Sequence, residues 1–191
     1  IPEHPFPAAL NDCVTAYRWL RKQGVAASHI VIAGESAGGN LTLATAVALG
    51  ESGDELPAAL VAISATIDMA MTGESFRTRA LVDASPGSGF AQDVFAIYTS
   101  HGATDPRNPL VSPLYANVHG FPPTLLQVGT QEMFLSDATR MADRLKAAGV
   151  EVKLEIWPGM FHAFTVGPDI IPEARLAERH VTKFMRHHLG A

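Results

Sequence analysis

The chain has 191 residues, 47% of them hydrophobic and 17% charged, with a net charge of −5. That composition suits one folded domain with a sizeable core and excludes a disordered chain. The acidic balance, without any basic run, argues against nucleic acid or an anionic membrane as partner. No apolar stretch approaches the roughly 18–20 residues of a membrane span, so no stable membrane insertion is expected. A single cysteine, Cys13, excludes an internal disulfide framework and suits a reducing, cytoplasmic compartment. Cys13 reads as a buried helix residue, with no His or acid placed to activate it.

Pro7 to Gly24 predicts a helix. Pro7 suits its first turn, Leu10, Val14, Tyr17 and Leu20 form an apolar stripe, and Gly24 ends it. His29 to Ala33 predicts a strand, Ala37 to Leu49 a buried helix, and Ala58 to Ser64 a second strand, apolar enough to be covered on both faces. Residues 70–108 break this rhythm. They hold Gly73, Pro86, Gly87 and Gly89 around one helical pattern from about Ala91 to Ser100, and read as a cap insertion over a substrate. Strand 124–129, helix 135–148, strand 150–156 and helix 172–189 then resume the alternation. The expected fold class is α/β: one domain over 1–191, a mostly parallel sheet, helices on both faces and right-handed crossovers. Strand 150–156, as an edge strand, and the last helix could pair across a two-fold axis into a homodimer, although no residue demands it.

Gly34-Glu35-Ser36-Ala37-Gly38 follows the apolar run Ile30 to Ala33 and opens the next helix. This is G-x-S-x-G between a strand and a helix, the setting of a nucleophile elbow. Gly34 and Gly38 are expected to keep Cβ atoms out of a tight turn around Ser36. The helix after Ser36 directs N–H groups at the site, which makes the Ala37 backbone N–H an oxyanion donor. A serine needs a base, and the base needs an orienting acid. In this arrangement the chain order is Ser, Asp or Glu, His. His162 follows strand 150–156 in Trp157-Pro158-Gly159-Met160-Phe161-His162 and reads as the base. Glu132 follows strand 124–129 and reads as the acid. Asp137, near the start of the next helix, is the alternative, with a capping role at that helix as its plainer reading. All three groups then lie beyond the carboxyl ends of strands, where open α/β sheets place ligands.

Glu35 reads as a local polar contact under the elbow, and Asp68 as a structural hydrogen-bonding residue. Met69, Met133, Phe134, Phe161 and Phe164 sit beside the site loops and are candidates to line an acyl pocket, though taken singly each reads more readily as core. The other histidines form no zinc-type spacing, and no Gly-rich phosphate loop is present. Neither metal nor cofactor is expected.

Glu35-Ser36-Ala37-Gly38-Gly39-Asn40 resembles the nucleophile segment of the hormone-sensitive-lipase-like branch of the α/β-hydrolases. His4-Pro5-Phe6-Pro7-Ala8-Ala9, Asp105-Pro106-Arg107 with Val111-Ser112-Pro113-Leu114, Gln127-Val128-Gly129 and Trp157-Pro158-Gly159-Met160 also match, so the resemblance covers the whole chain. It implies a serine carboxylesterase acting on short to medium acyl esters, without a cofactor. It places the acid about one βα unit before the histidine, where this chain has Glu132 and many members have Asp. The chain departs from the pattern in lacking the His-Gly-Gly-type loop that supplies the second oxyanion donor. His-Pro-Phe-Pro-Ala-Ala begins at position 4 here and later in the family. The expectation is an N-terminally shortened member, without the first strands and the N-terminal cap segment. Two alternatives accompany it: a catalytically impaired fragment, and a small-molecule binding module of the same fold. The binding members of this family have lost the histidine that is present here as His162.

Overall fold

Short apolar runs alternating with amphipathic ones form a four-stranded parallel sheet and its helices in a computed structural model, which describes residues 1–84 and 88–191. In chain order the elements are α1 (Ala8–Lys22), β1 (Val31–Glu35), α2 (Ala37–Glu51), β2 (Ala59–Ile63), α3 (Glu74–Thr78), α4 (Ser88–Tyr98), β3 (Thr124–Gly129), α5 (Leu135–Ala147), β4 (Val152–Trp157) and α6 (Pro172–Leu189). The strands lie side by side in sequence order, β1-β2-β3-β4, each parallel to the next. Right-handed crossovers that all step in one direction put α2 and α5 on the same face. Leu43, Ala46 and Val47 of α2 there share a core with Met141, Ala142 and Leu145 of α5. Strand alternation sends Leu60, Ala62 and Leu126 into that core. Helix α6 covers the opposite face, where buried Gln127 donates to the Ala177 carbonyl at 3.2 Å. α1 lies against α2 through Leu10, Val14 and Tyr17.

The first strand starts at Val31, two residues later than the predicted His29. Ala27–His29 closes a 3₁₀ turn, with the His29 N–H on the Ala26 carbonyl, and the extended backbone continues through Gly34 and Glu35 into the elbow. Cys13 is half-buried, not buried, since the core stripe of α1 runs through Leu10, Val14 and Tyr17 and leaves Cys13 at its margin. The described residues of the insertion hold two helices. α4 starts at Ser88, before the Ala91 read from the pattern, while Pro86 and Gly87 lie outside the described residues. β4 is an edge strand of the described sheet. No helix among the described residues is long and apolar enough to cross a membrane.

A parallel sheet delivers all its strand C-termini to one edge. The residues just beyond them, Ser36, Ser64, Thr130 and the loop from Pro158, therefore line up in strand order. The ladder extends past the strands themselves, with Ser36 N–H on the Ile63 carbonyl at 2.9 Å, Ser64 on Gln127 at 2.8 Å and Thr130 on Trp157 at 3.0 Å.

Candidate active site

Ser36 sits between β1 and α2 at φ 54°, ψ −117°, a sparsely populated conformation for a residue with a Cβ. The neighbouring glycines differ in their roles. A Cβ on Gly34 would fall 2.2 Å from the Gly38 carbonyl oxygen, so only glycine fits there. A Cβ on Gly38 would meet nothing within 4 Å. The expectation of a collision at Gly38 is thus corrected: the turn closes onto the backbone of Gly38, and its Cα hydrogens face open space. Ala37 is the first residue of α2, where a backbone N–H has no partner within the helix.

His162 reaches Ser36 across two intervening strands, from the end of β4 to the end of β1. Its loop doubles back over the end of β3, where a Cβ on Gly129 would stand 2.2 Å from the Met160 carbonyl oxygen. That carbonyl accepts the Gln131 N–H at 2.9 Å. The return brings His162 Nε2 to 2.9 Å from Ser36 Oγ. On the other side of the ring, Nδ1 lies 3.2 Å from Glu132 Oε2. Phe134 steadies the imidazole edge-on, with ring centroids 5.2 Å apart and planes at 65°.

Glu132 is fully buried. Its Oε1 accepts the Gly129 N–H at 2.6 Å and the Ser64 hydroxyl at 2.8 Å. Burial pushes its carboxyl above the usual range, and the bonds from His162, Gly129 and Ser64 oppose that rise. Asp137 stands elsewhere. Its Oδ2 accepts the backbone N–H groups of Ile67 at 2.8 Å and Asp68 at 2.9 Å. It thus ties down the loop after β2 and makes no side-chain cap at its own helix. Of the two candidate acids, Glu132 is the one within hydrogen-bonding distance of His162. Asp68 accepts from Tyr115 at 2.9 Å and Arg140 at 3.0 Å, and also from Thr72. Burial pushes its carboxyl up, but these donors together hold it below the usual range. Glu35 accepts the Thr165 hydroxyl at 2.5 Å.

A cleft of about 140 Å³ opens beside Ser36 and His162, with Met133 and Phe134 on one side and Phe90, Val94 and Phe95 of α4 on the other. Met69 lies in a second recess of about 250 Å³ that shares Ala37, Thr66, Val94 and Phe95 with the first. Phe161 and Phe164 line neither. A 3₁₀ turn after Ala163 (φ 59°) directs Phe164 under α6, beside Trp157, Ala174 and Ala177, with Phe161 against that cluster. Sequence reasoning missed Ser64, Asp83 and the α4 aromatics. A hydroxyl ending the apolar strand β2 at the ligand edge was the one available signal for Ser64. Among the described residues no group of three or more His, Cys, Asp or Glu could hold a metal ion.

A parallel sheet with a strained serine at a strand-to-helix turn, and a Ser–His–Glu hydrogen-bond chain across its carboxyl edge, is the layout of an α/β-hydrolase. A family model for the alpha/beta hydrolase fold matches residues 1–166. The chain belongs to this family, in its hormone-sensitive-lipase-like branch. It is 39% identical over 193 residues to an acetyl-hydrolase of Streptomyces hygroscopicus, covering 99% of this chain and 62% of that relative. Esterase LipU of Mycobacterium tuberculosis is 38% identical, covering 100% of this chain and 65% of the relative. The crystal structure of an esterase from the bacterial hormone-sensitive lipase family superposes with a TM-score of 0.94 at 45% identity, covering 98% of this chain and 63% of that one. The chain thus spans just under two thirds of the length of these relatives.

Proposed function

We propose that this chain carries the catalytic centre of a serine carboxylic ester hydrolase working through an acyl-enzyme. The observation that carries the reading is the unbroken chain from Ser36 Oγ to His162 Nε2 at 2.9 Å and from Nδ1 to Glu132 at 3.2 Å. Glu132 at Nδ1 selects the tautomer with its proton there and leaves Nε2 free to accept. His162 takes the Ser36 proton as Oγ attacks the ester carbonyl, then gives it to the leaving alcohol. Glu132 stabilises the imidazolium between those steps. Water repeats the sequence on the acyl-enzyme and releases the acid. The Ala37 N–H at the positive end of α2 supports the oxyanion.

The substrate class is a short to medium acyl ester. The apolar cleft between α4 and Met133–Phe134 offers about 140 Å³, and relatives named acetyl-hydrolase and carboxylesterase support the same class. In this reading α4 is part of the cap.

The test is mass spectrometry after exposure to a fluorophosphonate. One adduct on Ser36 is expected, abolished in Ser36→Ala and strongly slowed in His162→Ala. Ester turnover should fall at least about 10³-fold in Ser36→Ala. Ester turnover that survives Ser36→Ala unchanged refutes the assignment.

A further inference from the structure

One buried carboxylate outside the Ser–His–Glu chain touches both loops that build it. Asp83 lies beyond α3 in the insertion and is 7% exposed. Its Oδ2 accepts the backbone N–H of Met133 at 2.9 Å, and its Oδ1 accepts the backbone N–H of His162 at 3.2 Å. Met133 directly follows Glu132. Asp83 therefore bridges the acid's loop and the base's loop, each through a separate oxygen.

Chemistry favours a carboxylate here. Two N–H donors from different loops converge on one side chain, and an ionised Asp has two oxygens that only accept. Burying a carboxylate is costly unless it is hydrogen-bonded, and these two bonds offset that cost. The strut is also well anchored. Ser75 of α3 donates its hydroxyl to the Met133 carbonyl at 2.6 Å. Ser75 and Ser136 exchange backbone-to-hydroxyl bonds at 2.9 and 2.8 Å. Both backbone polar groups of Met133 are thus held by the insertion, whose α4 goes on to wall the cleft.

We propose that Asp83 is a positioning residue: its carboxylate locks the loops of Glu132 and His162 in register. The proposal rests on the triad reading above. The strut acts on backbone, so it sets where the imidazole stands between Ser36 and Glu132 without touching the substrate. Misplacing a reacting group by an ångström costs on the order of 10² in rate.

The experiment compares Asp83→Asn and Asp83→Ala with the unaltered protein, using p-nitrophenyl butyrate kinetics, melting temperature and the downfield proton NMR signal of His162 Nδ1–H. Asparagine keeps one acceptor and turns an N–H₂ toward the other donor, so it breaks half the bridge. Expected are a fall in kcat of roughly tenfold for Asn and a hundredfold for Ala, KM within about twofold, and a broadened or lost Nδ1–H signal in both. Unchanged kcat and an unchanged signal in a folded Asp83→Asn overturn the proposal, even if Asp83→Ala fails to fold. A loss expressed in KM alone also overturns it, since that assigns Asp83 to binding. Ser36→Ala runs alongside. If it retains full turnover the triad reading fails, while the NMR signal still reports separately on the strut.

Discussion

Replacing Asp137 with asparagine separates the two buried acids and tests the electrostatics of the loop after β2. Burial raises the Asp137 pKa from 3.8 to about 7, and the Ile67 and Asp68 N–H donors oppose that rise without cancelling it. The folded protein thus keeps this proton to higher pH than the unfolded chain does. Between those two values the native state binds more protons, so stability falls as pH rises. The loss begins above the unfolded value of 3.8 and is complete above about 7. A shift of about three units at 1.36 kcal/mol each bounds the loss at about 4 kcal/mol, of which about 2–3 lies between pH 5 and 8. Asparagine is neutral throughout, and its amide oxygen can accept the same two N–H bonds. Urea unfolding followed by tryptophan fluorescence should show Asp137→Asn gaining about 2–3 kcal/mol on the unaltered protein between pH 5 and pH 8. Taking the difference between the two proteins removes the contribution of titrating groups remote from Asp137, leaving Asp137 and the charges coupled to it, Asp68 and Arg140. Parallel stability–pH curves would refute the reasoning. Ester turnover in Asp137→Asn should stay within about threefold, while Glu132→Gln should lose on the order of 10⁴. The opposite pattern would transfer the acid's role to Asp137.

Three further substitutions probe the elbow and the acid's support. Gly34→Ala drives a Cβ to 2.2 Å from the Gly38 carbonyl, so circular dichroism melting should show a loss of more than about 3 kcal/mol or no folded protein. Gly38→Ala meets open space inside α2 and should be neutral or stabilising by up to about 1 kcal/mol in the same assay; a large loss there would contradict the asymmetry. Ser64→Ala removes a buried donor 2.8 Å from Glu132 Oε1. Hydrogen bonds to charged groups contribute about 1.5–3 kcal/mol, so steady-state kinetics should show kcat lower by roughly 10–100-fold with KM little changed, and an unaltered kcat would deny Ser64 any part in holding the acid.

The fold was legible where one local rule decides. Strand 124–129 is a mostly apolar run, buried throughout and bounded by Pro123 and Thr130, and it forms at those limits. Helix 172–189 forms at its predicted limits, and the structure shows a proline in its first turn and Gly190 in the left-handed conformation at its end. The placement of Ser36 and His162 was legible because strand-turn-helix and strand-loop contexts mark the carboxyl edge of a parallel sheet. Local rules fail where the deciding contact is remote. Ser64 bonds Glu132 across 68 residues, and Asp83 bonds His162 across 79; neither leaves a periodic or motif signal. Phe164 shows a subtler failure. Adjacency to a site residue implied the pocket, but the left-handed Ala163 reverses the chain and directs Phe164 into the α6 core.

The sheet order accounts for why the remote contacts are needed. Ser36 follows β1, Glu132 follows β3 and His162 follows β4, so of the two residues bonded in line with Ser36, His162 starts from the farther strand. Gly129 lets the last loop cross back over β3, close against its end. Such a loop gains little from the ladder below it, because beyond Thr130 its backbone runs across the strands. Its position has to come from side chains and from bonds to other loops. Glu132 supplies one from β3, Ser64 one from β2, and Asp83 one from the insertion. Each strand or insertion beneath the crossing contributes a polar group, and each of those groups is buried. A sequence pattern reports the strand ends; the buried polar groups that hold the crossing emerge only once the strands are in order.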